Sequence, residues 1–277
     1  MSSWIDANID NYVGPEETWS ILEQHLQDKT PFCYVRFNEG ESRVVANIPG
    51  RLKSSSSLSK ENIDGTCEVS KIGPQNKRKW GRWSYNQEKH PHIHEMMLDA
   101  LVDTSENYYA SLCNNENYVN YRYQTLVLME EYMGDNLPKR LLSAHAVHVK
   151  SVHDKLHEAF KNHTVNVICN EKGCVNKLPF TPKMVWTISN EDAWVHDIDL
   201  PDRINKYIEE CDIKNEMFVC CAGPFTNILL HRLWKEHPTN YYIDAGSTLD
   251  YHLFNAPTRN WLNKMGYPQQ HRGPELR

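Results

Sequence analysis

Apolar residues recur along this chain with two periods that alternate. In residues 17–27, Trp19, Leu22 and Leu26 fall three or four apart, the spacing of a helix with one buried face. The run Phe32-Cys33-Tyr34-Val35-Arg36-Phe37 follows and reads as a strand. Helical spacing returns at 94–101 and 118–132, on either side of a strand-like run at 108–113. The second half is more regular. It predicts a short strand at 147–149, a helix at 152–160, and strands at 165–169 and 184–188. A helix at 201–210 has Pro201 in its first turn, and a strand at 217–221, a helix at 225–234 and a strand at 241–243 complete the series. Strands alternating with helices predict one α/β domain whose mostly parallel sheet is covered by helices on both faces.

Two stretches depart from this pattern. Residues 51–88 are polar and turn-rich, with Ser54-Ser55-Ser56-Ser57, Gly73-Pro74 and the basic run Lys77-Arg78-Lys79. They are expected to form a long loop insertion in a domain spanning 1–267, and long structureless loops in compact domains tend to be functional. The polar stretch 268–277 is expected to be a flexible tail.

Composition narrows the class. The 277 residues are 40% hydrophobic, enough for one large domain, and no internal repeat is present. The net charge of −6 and pI near 6.2 disfavour a general nucleic-acid binder. No apolar run reaches the roughly 18–20 residues of a membrane helix, and the first residues lack the features of a signal peptide. The eight cysteines form no Cys-x-x-Cys and several sit in apolar runs. Buried, reduced thiols in a cytoplasmic protein are the expectation, and the Asn162-His163-Thr164 sequon is expected to be unused.

The chemistry gathers where strands end, the place where open parallel sheets bind ligands. After the first strand come Asn38-Glu39-Gly40-Glu41. Were the segment to continue extended, Glu39 and Glu41 would leave on one side and could share a divalent cation, while Arg36 could hold a phosphate through its planar fork. The plainer reading is a surface turn with an internal ion pair. Phe218-Val219-Cys220-Cys221-Ala222-Gly223-Pro224 brings an apolar strand to small residues and then a helix, a geometry that lets an anion approach backbone amides. It also suits an ordinary turn, and it lacks the three-glycine dinucleotide fingerprint. Asp244 in Tyr242-Ile243-Asp244-Ala245-Gly246-Ser247 could bind a ribose, position a metal or take a proton, or instead cap the next helix. Asn170 and Glu171 end another strand with the same logic.

Other clusters are weaker. His90, His92 and His94 would share a face of an extended segment, as zinc ligands can, but their proline-rich context reads as a polar loop entering a helix. His145 and His148 read as packed or partly exposed. The segment Lys77-Arg78-Lys79-Trp80-Gly81-Arg82-Trp83 could stack a base or sugar and pair phosphates, or be an exposed charged loop.

The segment Arg36-Phe37-Asn38-Glu39-Gly40-Glu41 resembles the Arg-Phe-Gly-Asp-Gly-Glu segment of the GT-D type glycosyltransferases, a family first catalogued as a domain of unknown function. Cys221-Ala222-Gly223-Pro224 is similar to that family's strand ending in Ala-Gly-Pro, and Ile243-Asp244-Ala245-Gly246 to its Ile-Asp-x-Gly, in the same order over roughly residues 15–255. The chain departs from the family at Asn38, where it has Gly, and at Glu39, where it has Asp; the longer acid moves the ligand oxygen by about one methylene.

The resemblance implies a Rossmann-like fold and transfer of a sugar from a nucleoside diphosphate to a hydroxyl of a glycan or other acceptor. It implies Mn²⁺ or Mg²⁺ at Glu39 and Glu41, and a nucleotide-sugar site at Arg36, Phe37, Asn38, Gly40, Asn170, Gly223, Pro224 and Asp244. Asp244, Glu171 and Asp192 are the general-base candidates, and Trp83 and Trp194 the sugar-stacking faces. Two rivals stand beside it. An adenosylmethionine-dependent methyltransferase also uses an open α/β sheet, but Asn-Glu-Gly-Glu does not supply its glycine-rich first loop. A non-catalytic nucleotide-sugar binding module would keep the fold and lose turnover.

Overall fold

The computed structural model describes residues 12–45, 50–51, 83–86, 88–113, 119–136, 141–255, 259, 261–262 and 265–266. Helix α1 (Pro15–Gln27) opens with proline in its first turn and with Glu16 and Glu17 at its positive end, and buries Trp19 and Leu22. Strand β1 (Phe32–Phe37) is buried along its whole length. Helix α2 (Glu39–Val45) follows immediately. Strands β2 (Gly50–Arg51) and β3 (Ser84–Tyr85) pair antiparallel. Thus the two ends of the expected 51–88 loop meet in a small ladder, and its residues 52–82, with the Lys77–Lys79 run, lie outside the described residues, as does the 268–277 tail.

Helix α3 (Pro91–Val102), strand β4 (Tyr108–Leu112) and helix α4 (Val119–Met133) complete the first half. Helix α5 (Lys150–Asn162) leads to strand β5 (Val165–Asn170), strand β6 (Met184–Ile188), the short α6 (Ala193–His196), α7 (Leu200–Glu210), strand β7 (Met217–Cys221), α8 (Phe225–Glu236), strand β8 (Tyr241–Asp244) and α9 (Asp250–Phe254). Six strands form one sheet in the order β4-β1-β8-β7-β5-β6, and every pair is parallel. The expected α/β domain, with helices on both faces of a parallel sheet, is what forms.

Strand alternation divides the core. Cys33, Val35, Phe37, Ile168, Phe218, Cys220 and Tyr242 face helices α2, α3, α4, α7 and α8. Phe32, Tyr34, Val165, Val167, Val219 and Ile243 face α1, α5 and α9. Both faces are dry, so the strands read as continuous apolar runs instead of alternating ones. Each fully buried large side chain, such as Phe37 or Phe218, contributes roughly 1.5–3 kcal/mol.

Three local expectations are corrected. The segment after Phe37 is helical, not extended. Residues 146–148 form a 3₁₀ turn in place of a strand at 147–149. Helix α3 begins at Pro91, so His92 and His94 stand on a helix, where residues two apart do not face each other. Helices α6 and α9, of four and five residues, are too short to show a period in the sequence.

The structure also describes seven of the cysteines, and all are free thiols; Cys33, Cys113, Cys169 and Cys220 are buried, while Cys174 and Cys211 are exposed. Among the described residues, no helix is long and apolar enough to cross a membrane.

Candidate functional site at the carboxyl edge of the sheet

Because all six strands are parallel, their carboxyl ends lie along one edge. Arg36, Asn170, Gly223 and Asp244 therefore share it, as the strand-end reading expects. β8 lies between β1 and β7, with Tyr34 opposite Ile243 and Cys220 opposite Asp244.

Arg36 and Asp244 come together. Nη2 of Arg36 lies 3.3 Å from Asp244 Oδ1, and both side chains are almost fully buried. Nη1 donates to the Ala144 carbonyl and approaches His148 Nε2, each at 3.3 Å. The Arg36 Nε–H is buried without an acceptor among the described residues. A buried donor left unpaired costs about 1–3 kcal/mol, so this is a place where an acceptor is expected. Burial is the largest influence on Arg36 and opposes its charge, but Asp244, Tyr34 and Glu41 together outweigh it and hold the guanidinium protonated. Burial pushes the Asp244 carboxyl upward, opposed by Arg36 and by the Gly246 N–H that Oδ1 accepts at 2.9 Å. That bond makes a local turn, so Asp244 does not cap α9, which begins six residues later.

Gly246 is required here. Its φ is +54°, and a Cβ would sit 1.8 Å from Arg36 Nη2, so the guanidinium lies directly against its backbone. Below the ion pair, Asn227, fully buried, donates Nδ2–H to the Arg36 carbonyl at 3.2 Å.

Glu39 and Glu41 stand in a helix and not on a continuing strand. They are two apart at the start of α2, a spacing at which helical positions diverge. Glu41 turns back, and its Oε2 accepts the Asn38 N–H at 3.0 Å, the glutamate half of a capping box. The Glu39 side chain is outside the described part of the structure. Phe37 is a buried core residue, while Asn38 stands at the N-cap and Gly40 lies within the first turn. Among the described residues, no group of three or more His, Cys, Asp or Glu is arranged to hold a metal ion, at the His90–His94 run or elsewhere. His94 Nδ1 instead meets the Val44 carbonyl at 2.9 Å. Of the two expected carboxylates, Glu41 is thus engaged at its own helix start.

Burial raises the Glu41 carboxyl to about 7, helped by the nearby Asp244 charge and opposed by its backbone hydrogen bonds. A carboxyl raised in the folded state binds its proton more tightly there than in the unfolded chain. Its contribution to stability is fully present below the unfolded value, near 4.5, and is lost as the pH rises through 7. Glu41→Gln keeps an oxygen for the Asn38 N–H and removes the buried charge. We expect Glu41→Gln to be more stable than the wild type at pH 8, by about 1–3 kcal/mol, and for the difference to shrink toward pH 5. Urea unfolding at the two pH values measures it; a pH-independent difference would mean that Glu41 is not held with a raised pKa.

At the glycine turn, Gly223 has φ +57° and is exposed, and a Cβ on it would meet the Trp83 indole at 2.7 Å. Thr226 Oγ1 accepts the Ala222 N–H at 3.1 Å. Pro224 occupies the N-cap of α8 with its side chain buried. Trp83 stands edge-on to Trp194, 5.3 Å between centroids. Trp194 is 0% exposed, so it is a core residue and not a sugar-stacking face; Trp83 remains partly exposed above Gly223. Asp192 is engaged too: Ser84 donates its N–H (2.5 Å) and its hydroxyl (2.8 Å) to the two carboxylate oxygens.

At the β5 end, Asn170 is buried and reaches Asn190 at 3.3 Å, while Glu171 is exposed and its Oε1 accepts the Asn190 N–H at 3.1 Å. Glu171 directly follows Asn170 at the end of β5, whose register with β7 runs to Cys169 opposite Cys221. His148 is the neighbour that sequence reasoning passed over. It lies 112 residues from Arg36, and no local pattern announces the contact. A groove of about 730 Å³ between α3, α7 and α8 is lined by Asp99, Asp202, Lys206 and Arg232 and by no strand-end residue.

No protein-family model and no curated protein sequence matches the chain. Solved structures do resemble it. One is described as the domain of unknown function 1792 with a distinct glycosyltransferase fold; it superposes with a TM-score of 0.53 over 87% of this chain and 80% of that one, at 14% identity. Another, described as a new glycosyltransferase of the same domain from Streptococcus sanguinis, gives a TM-score of 0.51 over 87% and 83%, at 14% identity. The chain shares their fold.

Proposed function

We propose that this protein is a glycosyltransferase that binds a nucleoside-diphosphate sugar along the carboxyl edge of its sheet and transfers the sugar to an acceptor hydroxyl. The observation that carries this reading is the convergence of Arg36, Gly223 and Asp244 at one edge of a fold shared with structures described as glycosyltransferases. In the reaction, the bond from the anomeric carbon to the diphosphate oxygen breaks, a bond to the acceptor oxygen forms, and the acceptor proton leaves to a base. Arg36, with a buried N–H that lacks an acceptor, is the diphosphate ligand. Asp244 orients Arg36 and faces the donor sugar.

Among the three base candidates, Asp244 is paired with Arg36 and Asp192 with Ser84. Glu171, exposed at the end of β5 with Oε1 accepting the Asn190 N–H, is best placed to take the proton. The partly exposed Trp83 is the face for a sugar or base. Mn²⁺ or Mg²⁺, held by Glu39 and Glu41 as the sequence proposes, would neutralise charge on the departing diphosphate; the roles above rest on the chain's own residues.

The test is a panel of UDP, GDP and other nucleotide sugars, read by thermal shift and by donor hydrolysis, with EDTA or with Mn²⁺ or Mg²⁺, and with adenosylmethionine as a separate arm. Stabilisation and slow hydrolysis of one donor support the proposal, and the metal arms show whether an ion is required. Stabilisation without turnover for any donor and acceptor indicates a binding module. Response to adenosylmethionine alone overturns the reading.

A further inference from the structure

We infer that His148 is the positioning residue for Arg36, a neutral imidazole carrying its proton on Nδ1 and accepting an Arg36 N–H at Nε2. The inference rests on the proposed role of Arg36 as diphosphate ligand and adds what holds that ligand in place.

An arginine fork has donors only. Nη1 of Arg36 lies 3.3 Å from His148 Nε2, so Nε2 must offer its lone pair, and the ring proton must sit on Nδ1. The ring has little freedom to turn away. Trp261 stacks on it at 4.4 Å, with 29° between planes, and the tight 3₁₀ turn Ala146–His148 carries it. Charge around the ring keeps it neutral. Burial pushes the imidazole well below its ordinary value, and the Arg36, His145, Arg259 and His153 cations or rings push the same way. A protonated His148 would set a second cation against Arg36 and would have no lone pair to give.

This contact settles which donors of the fork remain for a ligand. Nη1 is shared between Ala144 and His148, and Nη2 faces Asp244 and is walled by Gly246. Nε–H is left without an acceptor. His148 thus anchors one arm while Asp244 anchors the other, and the planar fork cannot rotate about its Cδ–Nε bond to turn Nε–H away. Removing the imidazole acceptor leaves Nη1 with the Ala144 carbonyl alone.

Two measurements on the full-length protein test this. Long-range ¹⁵N–¹H spectra of the imidazoles, with His148 assigned by its absence in His148→Gln, report the tautomer directly. We expect the Nδ1–H form in the wild type and a shift toward Nε2–H in Arg36→Met. An Nε2–H tautomer in the wild type, or one unchanged in Arg36→Met, overturns the inference. The second measurement is affinity for UDP, GDP and their sugars. Glutamine at 148 supplies an amide oxygen in place of Nε2 and is expected to bind within about threefold of wild type, whereas His148→Leu loses about tenfold or more, the scale of one hydrogen bond to a charged group. Equal affinity of His148→Leu and wild type, with folding verified by circular dichroism, overturns the positioning role. Absence of nucleotide binding in the wild type itself counts against the glycosyltransferase reading, and the tautomer result then decides the Arg36–His148 contact on its own.

Discussion

Asp244→Leu lowers stability by about 3–5 kcal/mol, read as a fall in the urea midpoint, because it leaves the Arg36 guanidinium buried with no counter-charge. The two side chains are 7% and 6% exposed and 3.3 Å apart. Arginine does not escape by losing its proton, unlike a buried lysine or histidine. The leucine also removes the acceptor of the Gly246 N–H, worth about 1 kcal/mol. The double variant Arg36→Met, Asp244→Leu is expected to cost much less than the sum of the two single changes, since it removes both charges and replaces them by apolar groups. A loss below about 1 kcal/mol for Asp244→Leu, the range of exposed pairs, would show that water reaches the pair.

Gly246→Ala is the second large effect, and it separates backbone strain from displacement of Arg36. A non-glycine residue at φ +54° costs roughly 1–2 kcal/mol. Gly134 has φ +53° and open space around its Cβ position, so Gly134→Ala measures that backbone cost alone. At Gly246 the added methyl lands 1.8 Å from Arg36 Nη2, so the fork must move out of its contacts with Asp244 and His148. We expect Gly246→Ala to lose about 1–3 kcal/mol more than Gly134→Ala, the scale of overpacking a filled site. Nucleotide affinity is expected to fall in Gly246→Ala and to stay unchanged in Gly134→Ala. Equal destabilisation by the two changes would mean that Arg36 does not lie against this turn.

Much of the fold was legible because its strands are buried on both faces. Phe32–Phe37, Val165–Asn170, Met217–Cys221 and Tyr241–Asp244 stand out as apolar runs between polar turns. The site was legible only as a neighbourhood, since a parallel sheet carries all its carboxyl ends to one edge. Helix α2 was missed although its signal was present: Asn38 followed three residues later by Glu41 is a capping pattern, and the glycine between them invites a turn instead. At the histidines 90, 92 and 94, the expected entry into a helix is what forms, but it starts at Pro91, three residues before His94.

By itself, the sequence determined the alternation of strand and helix, the parallel sheet, and the edge at which polar groups collect. These follow from local periodicity and from which residues tolerate burial. Only the tertiary structure decided which charged groups are already engaged. Asp244 meets Arg36, Asp192 meets Ser84, Glu41 meets its own helix start, and Trp194 is sealed in the core. The cause is range: a hydrogen bond acts over about 3 Å, and apart from the local Glu41 cap the partners here stand some 100 to 200 residues apart along the chain.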